Sequence, residues 1–116
     1  SDIVDLLPPK AVDEVRIRVG NTLKSRIDAD DIMAIPQFAR FHLTIQAEPN
    51  YSDAYIWYSI ATALNLPGSS DARDDAESQL ESEDLVALQI KTQELFEKYN
   101  FKPLQGTGKA GTGGAK

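Results

Sequence analysis

The sequence predicts an all-α fold, and three observations carry that expectation. Apolar residues recur every three or four positions in each patterned segment, the period of one helix face. Short breaks rich in Pro, Gly, Asn and Asp separate these segments, as at EPNY (48 to 51) and LPGSS (66 to 70). Only VRIRV (15 to 19) alternates as a strand would, and its helical flanks favour a helix there.

Five helices follow in chain order. The first runs through PPKAVDEVRIRVGNTLKSRI, with Pro9 in its opening turn, Val12, Val15, Val19, Leu23 and Ile27 on one face, and Gly20 as its weak point. The aspartates of DADD (28 to 31) suit the positive end of a second helix. Pro36 restricts that helix to about 35 to 47, with Phe38, Phe41 and Ile45 on a shared face. Pro49 and Asn50 end it. A third helix carries Tyr51, Tyr55, Tyr58 and Thr62 on one stripe, with Ala54, Ala61 and Leu64 beside them. The fourth, DARDDAESQL, turns Ala72, Ala76 and Leu80 to one side. Ser82 is placed to cap the fifth, EDLVALQIKTQELFEKY, whose inward residues are Leu85, Leu88, Thr92, Leu95, Phe96 and Tyr99.

Beyond Phe101 the pattern stops. The stretch from 104 to 116 holds five of the seven glycines among small and polar residues, a composition that predicts a flexible tail after a helical domain spanning 1 to 103. The sequence opens on SDIVDLLPPK without a basic, long apolar leader. Without an initiator Met, it reads as a processed form or an excised segment of a longer protein.

Composition narrows function. Twelve basic residues stand against 18 acidic ones, a net charge of -6, and the basic residues are interleaved with carboxylates. Nucleic acid and anionic lipid are therefore not expected partners. No run approaches the roughly 20 apolar residues of a membrane span. The absence of cysteine excludes disulfides and thiolate chemistry.

Sites with chemistry are scarce. His42 is the only histidine and lies between Phe41 and Leu43, so it reads as a half-buried helix residue rather than a general base. Neither a cofactor nor a metal is expected. The acidic run from Asp71 to Asp84 lacks the alternating ligands and central glycine of a calcium loop. The Gly108 and Lys109 pair fails the phosphate-loop pattern, since Pro103 and Ala110 stand where Gly and Ser or Thr are needed. NYS (50 to 52) is a formal glycosylation triplet of the kind that arises by chance.

Six of the nine aromatic residues lie between Phe38 and Tyr58. With Arg40 the only basic residue among them, a base-stacking platform lacks its positive charge. Tyr55 and Tyr58 are expected in the core.

A resemblance adds to this reading. Phe41, Pro49 and Tyr55 fit the junction between two tetratricopeptide repeats. The Sel-one-like branch of that superfamily is the closer match, through Tyr51, AYIWYSIATA (54 to 63), ARD (72 to 74), Ala76, Leu80 and LVALQ (85 to 89). The chain resembles that family over about residues 51 to 95. The resemblance implies a short right-handed array of antiparallel helical hairpins, a bacterial protein of cytoplasm or periplasm, and a non-enzymatic role in protein–protein interaction. A regulatory or substrate-presenting domain cut from an enzyme or secretion apparatus is the alternative. In such arrays the helix side carrying Asp53, Ile56, Trp57 and Ile60 often faces the groove, so these four residues are the expected partner site, with packing of Ile56 and Trp57 against the chain's own first helix as the alternative. Its chemistry suits a protein or peptide with an apolar anchor and basic surroundings.

Overall fold

In the computed structural model, which describes residues 9 to 45 and 48 to 103, every regular element is helical. The order is α1 (Pro9–Asp28), α2 (Ala34–Thr44), α3 (Tyr51–Ala63), α4 (Ser69–Glu77) and α5 (Ser82–Tyr99). VRIRV lies inside α1. The glycine-rich stretch from 104 to 116, expected to be flexible, lies outside the described residues, as do residues 1 to 8.

Local chemistry sets the helix ends. Pro36 sits in the first turn of α2, where its missing N–H would have had no partner anyway. The aspartates before α2 do not cap it. Met33 stands at the cap without a side-chain bond, and the backbone carbonyls of Asp31 and Ile32 receive the N–H groups of Ala34 and Ile35 instead. Asp31 accepts from Arg26 Nε at 2.8 Å, tying the turn to the end of α1. Ser82 likewise falls inside α5, with Glu81 at the cap. Among the described residues, Asn50 is the one that caps a helix by its side chain. Its Oδ1 accepts from the Asp53 amide at 3.0 Å while its Nδ2 donates to the Asp53 carboxylate at 2.9 Å, satisfying an otherwise orphan donor of α3.

The core is built around α3. This helix packs against α2, α4 and α5, so its residues are buried on nearly every side: Ala54, Tyr55, Ile56, Trp57, Tyr58, Ile60 and Ala61. A helix apolar all round is one with neighbours all round. Around it gather Leu23 and Ile27 of α1, Ala34, Ile35, Ala39 and Phe41 of α2, Leu64 and Leu66 of the following turn, Ala76 of α4, and Phe101. Ile27, Ile35, Ile60 and Leu64 are wholly enclosed. Each such side chain contributes roughly 1.5 to 3 kcal/mol relative to leaving it in water.

Gly20 sets the approach of α1 to α2. A Cβ placed there would lie 2.9 Å from Cζ of Phe41, so the ring rests against bare helix backbone. Arg16 Nε donates to the carbonyl of Ile45 at 2.8 Å, joining α1 to the C-terminal end of α2. Ile45, expected inward, is exposed.

In contrast, α5 contains no buried residue. Leu85, Leu88, Leu95, Phe96 and Tyr99 are partly covered against the core. Its C-terminal end is fixed by Tyr99, which stacks on Phe101 at 4.9 Å and meets Trp57 edge-on at 6.3 Å. The Tyr99 hydroxyl donates to Asp28 at 2.8 Å, and Lys24 Nζ lies 5.3 Å from the Tyr99 ring centre. That bond holds the Asp28 carboxyl below its ordinary range, with Lys24 acting in the same direction.

Candidate functional site

The expected partner strip is in the core, and this corrects the sequence reading. Ile56 and Ile60 are buried and Trp57 is 6% exposed. Phe38 of α2 meets the indole edge-on at 5.2 Å, and Tyr99 of α5 covers another part of it. Asp53, the fourth member, is half-buried and engaged with Asn50 at the helix start. The physical reason is that α3 has more covered sides than an end helix of a hairpin. An open groove along it would require α2 or α5 to be elsewhere.

His42 is more deeply placed than the half-buried position expected. It is 7% exposed, with Phe38 edge-on at 4.7 Å and Phe41 edge-on at 5.3 Å. Neither ring nitrogen has a hydrogen-bond partner among the described residues. Burial pushes its pKa down, and the Asp53 carboxylate opposes that shift. A neutral imidazole enclosed by aromatic rings acts here as a packing group.

A polar cleft of about 330 Å³ opens where α3, α4 and α5 meet, lined among others by Tyr55, Ser59, Arg73, Glu77, Gln89 and Gln93. Arg73 turns to its neighbour Asp74, at 3.1 Å. Gln89 Nε2 reaches the Tyr55 hydroxyl at 3.5 Å, the long limit of a hydrogen bond. Of the hydroxyls lining it, Thr92 Oγ1 donates to the Leu88 carbonyl at 2.8 Å and Ser59 Oγ has no hydrogen-bond partner among the described residues. Among the described residues, no group of three His, Cys, Asp or Glu side chains converges as a metal site would require.

The outer face of α5 carries exposed aliphatic side chains bracketed by carboxylates. At 100° per residue, Glu83, Val86, Ala87, Ile90, Gln93, Glu94 and Glu97 share the side opposite Leu88 and Tyr99, and all seven are exposed. Val86 is 62% exposed and Ile90 57%. They stand one turn apart, with Ala87 beside them. Glu83 lies N-terminal to this apolar centre and Glu94 and Glu97 lie C-terminal to it. None of the three carboxylates is in an ion pair among the described residues; Glu97 accepts from Gln93 at 2.8 Å. The signal for this face was already in the sequence. Once Leu85, Leu88, Thr92, Leu95, Phe96 and Tyr99 are turned inward, Val86 and Ile90 have to point out.

No protein-family model matches the chain, and no curated protein or solved structure is detectably similar to it. Among the described residues, no helix is long and apolar enough to cross a membrane.

Proposed function

We propose that this chain is a non-enzymatic protein-interaction module whose docking face is the outer side of α5. The observation that carries this reading is an 18-residue helix without one buried residue, displaying two large aliphatic side chains one turn apart. Isolated exposed aliphatics are common on protein surfaces. A pair aligned on the open side of a half-covered helix offers a partner helix a ridge to pack against. The resemblance of residues 51 to 95 to the Sel-one-like repeats supports the same class of function, while the choice of α5 as the docking face rests on exposure alone.

The test places a photo-crosslinking residue at position 90 of the full chain, with position 17 as control. Ile17 is equally exposed but lies on α1. Irradiation in a lysate of the source organism is expected to join a discrete protein to position 90 and not to position 17. Val86→Asp should remove that product. Identical products from both positions, or none from position 90, would overturn the reading.

A further inference from the structure

Resting on that interaction reading, we infer that the occupant of the α5 face is an amphipathic helix with a small apolar centre and basic residues at both ends. The stripe dictates each part. Val86, Ala87 and Ile90 form the centre, too small to hold a partner by apolar burial alone and matched to one or two aliphatic side chains. Glu83 and the pair Glu94 and Glu97 bracket it. From Glu83 to Glu97 the stripe is about 21 Å long at 1.5 Å per residue, the length of a helix of about four turns. A partner helix lying along it places its own ends beside these carboxylates, and lysine or arginine there meets groups that form no ion pair among the described residues.

Charge also decides against the simplest alternative, a second copy of the chain. A mate using the same face brings the same three carboxylates and no cation on the stripe, since Lys91 and Lys98 lie on its flank. Like charges brought together oppose association. The chain's net charge of -6 adds to that repulsion at longer range. For a basic partner the same charges speed encounter and fix register.

The experiment uses the full chain and two synthetic helical peptides of about 18 residues, long enough to hold helix in water. Both carry two leucines four positions apart. One has lysines bracketing them, the other glutamates. Binding is read by fluorescence anisotropy of a dye on the peptide. The lysine peptide is expected to bind and the glutamate peptide not. Raising salt from about 0.05 M to about 0.5 M should weaken binding, because exposed charges more than a few ångströms apart are screened at the higher value. The combined variant Glu83→Lys, Glu94→Lys, Glu97→Lys should lose the lysine peptide by about tenfold or more and take up the glutamate peptide. Ile90→Asp should weaken binding of the lysine peptide. The salt series needs no variant, so a misfolded triple mutant does not remove the test.

A lysine peptide that binds no better than its glutamate counterpart overturns the proposal, as does binding indifferent to salt. A concentration-dependent dimer abolished by Ile90→Asp replaces the basic helix with a second copy and overturns it too. The crosslinking arm separates the two levels. A position-90 product linked through a segment without basic residues sinks this proposal and leaves the interaction reading standing, whereas no position-90 product sinks both.

Discussion

His42 and Gly20 show how single residues hold this core. The imidazole of His42 is enclosed without a hydrogen-bond partner among the described residues, so the folded chain prefers it neutral and its pKa lies below the ordinary 6.5. Well above pH 6.5 folded and unfolded chains both carry it neutral. As pH falls through that value the unfolded chain takes up the proton first, so stability declines until the lower, folded pKa is reached. Thermal melts between about pH 7.5 and about pH 5.5, above the range where carboxylates titrate, should show Tm falling on the acid side. His42→Phe should flatten that dependence, and an equal slope in the variant would count against the assignment. Gly20→Ala sets two effects against each other. Alanine gains about 1 kcal/mol in helix propensity, but its methyl would sit 2.9 Å from a buried Phe41 ring. That ring is held by Phe38 and His42, and forcing it aside costs about 1 to 3 kcal/mol. Denaturant melts should therefore show a net loss of about 1 kcal/mol, and a stabilised variant would mean that the two helices separate freely.

At the level of elements, α3 and α5 are opposites. Nearly every side of α3 is packed, and α5 is covered along one side only. Amide hydrogen exchange should accordingly be slowest across 54 to 61 and markedly faster through the middle of α5, since few apolar contacts must break to expose the latter. Equal protection in both would show that α5 is covered in solution. The same contrast explains what the sequence revealed. All five helices were legible from their periodicity, and the inward residues of α5 were correctly drawn from it. Ile56, Trp57 and Ile60, expected on an open groove, are core residues instead. Period gives the angle of a side chain about its helix axis but not the number of neighbours around that axis. The near-continuous run from Ala54 to Ala61 was the available clue, because a helix apolar on all sides reads as a central one. The caps misled for a different reason: Asp31 and Ser82 are good capping residues, but a preceding backbone turn had already satisfied the N–H groups at α2, and α5 began one residue early.

For the whole molecule, one helix serves as the common support for α2, α4 and α5. The chain is therefore expected to melt in a single transition rather than to fray unit by unit as long repeat arrays can. Coincident far-UV circular dichroism and Trp57 fluorescence melts would show this. A dichroism transition preceding the Trp57 change would reveal helices that leave before the core does.

The bond from Tyr99 to Asp28 spans a sequence separation of 71 residues, and its consequence lies in the rates of folding. Bringing such distant positions together costs loop entropy that the intervening helices must first absorb. The clasp is thus expected to close on the native side of the barrier. Contacts of that kind slow unfolding and leave the folding rate alone. In stopped-flow experiments Tyr99→Phe, which keeps the ring against Trp57 and Phe101 but removes the hydroxyl, should raise the unfolding arm of the chevron and leave the refolding arm in place. A slowed refolding arm would instead mean that α1 and α5 meet before the barrier is crossed. On the expected outcome, a single phenolic hydroxyl lengthens the time for which the assembled domain persists, and has no part in how quickly it assembles.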